Sequence, residues 1–105
     1  MDISRHLPLA PRDLLVLAVL AEGPLHGYGI IKAVEARASS GVHLDPANLY
    51  RVLRRMRALV WIEEADDAEE RRRTHRITAR GRDVLRAELS RLEDLLAQAR
   101  PAVTG

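Results

Sequence analysis

Asp45-Pro-Ala-Asn-Leu-Tyr-Arg-Val-Leu-Arg-Arg-Met-Arg-Ala58 is the stretch on which the reading of this chain turns. It carries the start signals of a helix. Asp45 is suited to accept from the first free N–H groups, and Pro46 stands at the first helical position, where its missing N–H costs nothing. Leu49, Val52, Leu53 and Met56 recur at helical spacing and make one apolar face. At about 100° per residue the opposite side carries Ala47, Arg51, Arg54 and Ala58, with Asn48, Tyr50 and Arg55 on the flanks. A helix has the width of the DNA major groove; arginines suit guanine edges or phosphates, and an asparagine suits adenine. A solvated basic face on an ordinary surface helix explains the same pattern. The neighbouring segments have to decide between the two.

Upstream, Leu25-His-Gly-Tyr-Gly-Ile-Ile-Lys-Ala-Val-Glu-Ala36 reads as the preceding helix. Gly27 and Gly29 suit its opening turn, and Ile30, Ile31 and Val34 supply an inner face. Tyr28 and Lys32, four apart, share the outer face. In a helix-turn-helix pair the first helix crosses the phosphate backbone, and these groups suit that task. Ala38-Ser-Ser-Gly41 turns the chain, and Val42-His-Leu44 reads as a short extended piece. Further upstream, Pro11-Arg-Asp13 opens a helix that is apolar nearly all round from Leu14 to Ala21 and is stopped by Gly23-Pro24. A helix this apolar in a small protein calls for a subunit interface, with Leu14 and Leu15 as candidates. Residues 1–10 read as an arm that is disordered alone, with Ile3, Leu7 and Leu9 to bury against a partner.

Downstream the period changes. Val60–Ala65 and Thr74–Thr78 are β-prone, and Asp66–Arg71 between them reads as a turn. The hairpin is basic on one strand, where Glu63 and Glu64 can face Arg72 to Arg76. Behind a DNA-reading helix such a hairpin is a wing, with Arg71, Arg72 and Arg73 as its contacting part. A purely structural hairpin with internal ion pairs is the alternative. Thr78 then caps a last helix that runs to about Arg100, with Pro101 marking its end. Leu85, Leu89, Leu92 and Leu96 make a coiled-coil type seam. Arg86, Glu88, Arg91, Glu93 and Asp94 are expected to keep the other faces wet. So long a helix, coming last, implies a dimer.

The bulk properties fit. The chain of 105 residues has room for one modest core, and its formal charge is only +2. The charge is sorted into blocks. Residues 51–57 hold four arginines and no acid, 63–70 six acids and no base, and 71–82 six arginines and no acid. Blocks of this kind make local fields that steer a polyanion. There is no cysteine, which excludes disulfides and thiolate chemistry. The start lacks a secretory leader, and no apolar run is long enough to span a membrane, so a cytoplasmic, bacterial protein is expected. His6, His26, His43 and His75 show no metal-ligand spacing. The paired acids of the hairpin have no dry pocket to tune them. No cofactor, no metal and no enzymatic activity are expected.

Gly23-Pro-Leu-His-Gly-Tyr28, Asn48-Leu-Tyr-Arg-Val-Leu-Arg-Arg55, Trp61-Ile-Glu63 and Ile77-Thr-Ala-Arg-Gly81 resemble, in order and spacing, the signature of PadR-like transcriptional regulators. The resemblance covers roughly residues 12–90, and the single C-terminal helix is similar to the short subfamily. It implies a homodimer that reads an inverted-repeat operator, usually as a repressor, and is released by a small-molecule effector. By position it implies that Tyr28, Asn48, Tyr50, Arg51 and the basic wing strand contact DNA. The chain departs from the pattern in two places. Val60 stands where the family usually has glycine, so the helix end must differ or carry strain. Thr74-His75 replaces a common tyrosine pair.

Together these readings predict a mainly α fold with a small β-hairpin wing. Residues 1–80 form a winged helix-turn-helix with an N-terminal arm, and 81–105 a C-terminal dimerisation helix and tail, as one structural unit. The expected DNA-binding set is Tyr28, Lys32, Asn48, Tyr50, Arg51, Arg54, Arg55, Arg71, Arg72 and Arg73. The expected dimer interface is Leu14, Leu15, Leu85, Leu89, Leu92 and Leu96. Trp61, the only tryptophan, is the one candidate for an effector platform, although such a residue is more often core than platform. Half-sites should lie about one helical turn apart, ~34–36 Å. The alternative is a winged-helix protein-interaction module without sequence-specific DNA binding.

Overall fold

A computed structural model describes residues 3–37, 39, 41–67 and 72–104; the side chains at 66, 67 and 72 are outside that description. The elements are α1 (Pro11–Glu22), β1 (Leu25–His26), α2 (Gly27–Glu35), α3 (Pro46–Ala58), β2 (Ile62–Asp67), β3 (Arg72–Ile77), α4 (Ala79–Ala99) and α5 (Pro101–Thr104). The strands form one antiparallel sheet in the order β1-β3-β2. The fold is the expected mainly α winged helix-turn-helix with a long last helix.

Three helices start the same way. His26 Nδ1 accepts from Gly29 N at 2.9 Å, Asp45 Oδ1 from Asn48 N at 2.8 Å, and Thr78 Oγ1 from Gly81 N at 3.0 Å. Each satisfies one N–H that the first turn leaves unpaired. The apolar faces then meet in one core. Val16, Leu17 and Leu20 of α1 and Ile30 and Val34 of α2 are buried, as is the whole expected face of α3, Leu49, Val52, Leu53 and Met56. Val84 and Leu85 close the core from α4.

The junction of α3, wing and α4 is tightly made. Val60 has φ 61°. Its N–H donates to Arg57 O at 3.0 Å, and the Trp61 N–H to Met56 O at 2.9 Å. These two bonds are the Schellman cap, so the helix keeps its left-handed ending with valine in the place that favours glycine. Trp61 O accepts from Thr78 N at 2.9 Å, and Thr78 Oγ1 donates to Val60 O at 2.6 Å. Gly81 lies on the same carbonyl. A Cβ there would stand 2.1 Å from Trp61 O and 2.8 Å from Ile77 Cγ1.

Several expectations are corrected. The arm is not disordered alone. Ile3–His6 form a 3-10 turn, and Ile3, Leu7 and Leu9 pack on the chain's own core. Leu25-His26 does not open the second helix; it pairs with His75 and Thr74, because β3 offers a free edge there. Val42–Leu44 is irregular, with Leu44 buried. The strands run further than expected, so Asp66 and Asp67 pair with Arg73 and Arg72 instead of turning. Glu88 is not wet. It is 1% exposed, held by Arg91 and by the Leu9 N–H at 2.6 Å, which together keep its carboxyl below the usual range. The end of the last helix is as expected: α4 stops at Ala99, just before Pro101, which then opens the short α5, since proline is tolerated in a first turn.

Two substitutions test the junction. Val60→Gly relieves about 1–2 kcal/mol of left-handed strain and gives part of it back in unfolded-chain entropy. The net gain of ~1 kcal/mol should raise the melting temperature by about 4–8 °C in a chain of this size. Gly81→Ala forces backbone apart and should cost about 3 kcal/mol, seen as a clear loss in denaturant midpoint.

Candidate nucleic-acid interface

The outer face of α3 is built by the inner one. Burying Leu49, Val52, Leu53 and Met56 leaves Arg51 and Arg54 pointing to solvent, and both are exposed. Neither has a carboxylate partner among the described residues. Tyr50 beside them is 63% exposed. Asn48 is half-buried, and its amide donates to Asp45 Oδ2 at 2.8 Å. The residue that caps the helix therefore also orients the asparagine. Arg55 does not join this free set. Its guanidinium bonds the carboxylate of Asp13 on α1. Sequence reasoning missed that pairing, whose one signal was an acid beside the apolar run of α1.

The start of α2 adds a second group. Tyr28 is 63% exposed and lies between the His26 ring, stacked at 6.4 Å, and the Lys32 ammonium, 5.3 Å from its centroid. Lys32 also pairs with Glu35 at 3.7 Å. The wing comes to the same place. Arg73 of β3 joins His26, Gly27 and Tyr28 around an open hollow of about 480 Å³. Because β1 pairs with β3, the two residues before α2 are fixed to the wing strand that carries Arg73.

The wing arginines are matched by acids. Arg76 bonds Glu63 at 2.8 Å, and Glu64 lies 3.8 Å from Arg73 and 3.5 Å from Arg57. Arg73 remains open to solvent. The Arg72 backbone pairs with Asp67, and Arg71 lies outside the described residues. His75, between β1 and β2, is buried with Nδ1 unpartnered. Burial, reinforced by Arg57 and Arg73 against the opposing pull of Glu64, pushes its imidazole below the ordinary value.

Trp61 is 3% exposed, with His6 edge-on at 5.3 Å. It is core in this chain. Of the leucines expected at an interface, Leu85 is buried and Leu14, Leu15 and Leu92 are half-buried, while Leu89 and Leu96 are open. Leu95, which the seam pattern passed over, is also open. Among the described residues no helix is long and apolar enough to cross a membrane, and no group of acids and histidines is placed to hold a metal ion.

A capped basic helix, a helix start that shares its sheet with a wing, and a long terminal helix define a winged helix-turn-helix protein. Residues 16–87, more than half of the chain, match the transcriptional regulator PadR-like family, and the chain belongs to that family. It is 40% identical over 76 residues to an uncharacterized 37.1 kDa protein in a transposon of Streptomyces fradiae. Those residues are 72% of this chain, which spans about a fifth of that relative's length (21%). The fold is similar to a PadR-like transcriptional regulator from Bacillus cereus, with TM-score 0.75, 18% identity, and 89% and 91% of the two chains covered. It is also similar to a PadR family regulator from Clostridium difficile, with TM-score 0.72, 23% identity, and 85% and 97% covered.

The His75 environment gives a pH expectation. The folded chain holds His75 neutral where the unfolded chain, near its ordinary value of ~6.5, takes up a proton. The unfolded state then binds more protons, so stability falls as pH falls from about 7 towards 5. His75→Phe should flatten that part of a melting-temperature profile, leaving the losses from paired carboxylates, Glu88 among them, at lower pH.

Proposed function

We propose that this protein is a homodimeric repressor that reads an inverted-repeat DNA operator through α3. The observation that carries the reading is the pair Arg51 and Arg54, exposed and, among the described residues, without carboxylate partners on the outer face of a capped helix. These two reach base edges or the nearest phosphates, and Asn48, held by Asp45, reads a base. Tyr28, Lys32, Tyr50, Arg73 and its neighbours Arg71 and Arg72 hold the backbone, where contacts set position rather than sequence. A second copy covers Leu89, Leu92 and Leu96 together with Leu14 and Leu15, because a row of open leucines on a helix is stabilised by burial. Release by a small-molecule effector belongs to this reading through the family. Trp61, buried against His6, offers it no open face.

The test is binding to duplex DNA from upstream of the protein's own coding sequence, against random duplex of equal length, at ~50 and ~200 mM salt. Tight, preferential, salt-sensitive binding is expected. Arg51→Ala should lower the discrimination between the two duplexes by about 1–3 kcal/mol. Arg73→Ala should weaken both duplexes alike and flatten the salt slope by about 0.9. Absence of salt-sensitive binding to any duplex would leave the protein-interaction module, with the acidic hairpin and α4 as its surfaces.

A further inference from the structure

Asn48, Arg51 and Arg55 follow one another along α3 at spacings of three and four, so they share a stripe of the helix. The sequence alone therefore makes Arg55 a DNA contact. In the fold the guanidinium leaves that stripe. Its Nη2 donates to Oδ2 of Asp13, in the first turn of α1, 42 residues away.

The carboxylate is the stronger anchor of the two. The Asp13 side chain is 11% exposed and that of Arg55 49%. Asp13 Oδ1 is buried with no hydrogen-bond partner, so Arg55 is the one group that neutralises this carboxylate among the described residues. A charge so far removed from water is costly without its counterion, and removing one partner of such a pair is strongly unfavourable. A DNA phosphate would have to take Arg55 away from it. The pair also joins elements that pack mainly elsewhere: α1 lies on α2, α4 and β3, and α3 on α2 and β2. It is a direct tie between α1 and the end of α3.

We infer that Asp13 and Arg55 form a strut that sets the angle of α3 against α1, making Arg55 a positioning residue for DNA reading and not a DNA contact. The inference rests on the proposal that α3 reads DNA. Arg51 and Arg54 lie within one turn of the strut, so a rotation of α3 that it prevents would carry their long side chains off their targets.

The test uses the full chain and a duplex recovered from a random DNA pool by selection with the unaltered protein. If no duplex is enriched, the DNA-reading proposal itself fails, and the strut with it. With a duplex in hand, Asp13→Asn decides by the sign of its effect. It keeps the shape of the side chain and releases Arg55. A strut predicts binding about tenfold weaker, the size of a typical coupling between contacting residues. A phosphate-binding Arg55, freed from its competitor, predicts tighter binding. Arg55→Gln separates the two readings again. A positioning residue costs a similar factor and leaves the slope of log affinity against log salt in place. A lost phosphate contact flattens that slope by about 0.9. The double variant should bind no more weakly than the weaker single one. Melting curves taken first fix a temperature at which each variant is folded. If Asp13→Asn does not fold, the salt slope of Arg55→Gln carries the decision. Tighter or unchanged binding by Asp13→Asn, or a flattened slope in Arg55→Gln, overturns the strut.

Discussion

The carbonyl of Trp61 meets Gly81 with no room for a side chain between them, and three parts of the molecule are fixed at that crossing. The Trp61 N–H closes the end of α3, and its oxygen takes the N–H of Thr78, where the wing returns. The Thr78 hydroxyl serves both directions. It donates to Val60 O and accepts from Gly81 N, so one side chain ties the exit of α3 to the entry of α4. Each contact is worth little alone, about 1 kcal/mol for a typical hydrogen bond. Their joint effect is geometric. α3, the feet of the wing and the long terminal helix cannot turn independently.

That rigidity gives the charge pattern its meaning. Most arginines near the candidate interface are committed to acids: Arg55 to Asp13, Arg57 and Arg73 to Glu64, Arg76 to Glu63. Among the described residues, Arg51 and Arg54 are left exposed and without an acid partner on the face that α3 presents. A net charge of +2 is thus a poor guide to what this surface offers a polyanion. The placement of the acids selects which cations stay available.

The periodic part of this fold was legible from sequence. The apolar spacing of α3, its Asp45-Pro46 start, the Thr78 cap and the two β-prone runs all appear in the structure, since each depends on residues within a turn or two. The free arginines of α3 followed from the same periodicity. What escaped depends on distant neighbours. Glu88 looks like a solvent-facing acid until Leu9 and Arg91 are found on it, and Arg55 looks free until Asp13 arrives from 42 residues away. The pairing of Leu25-His26 with β3 needs only two residues, too few for any alternation to announce it. Val60 was the instructive case. The local rule expected either a new helix end or a strained one, and the bonds to Arg57 and Met56 hold the strained one.

The register of the wing has a consequence for how such a protein spends its time. Down the ladder, Glu63 faces Arg76, Asp66 faces Arg73 and Asp67 faces Arg72. Each arginine of the paired positions stands across from an acid, and residues 62–77 hold six acids and four arginines, so the stretch carries a formal charge of −2 despite its run of arginines. A genome offers on the order of 10⁶–10⁹ arbitrary sites, and attraction to them is almost entirely phosphate electrostatics. On the proposal that α3 reads DNA, a wing whose acids outnumber its arginines is a weak trap for arbitrary sequence. On that reading fewer molecules are held at random positions, and selection among sites falls to the groups on α3.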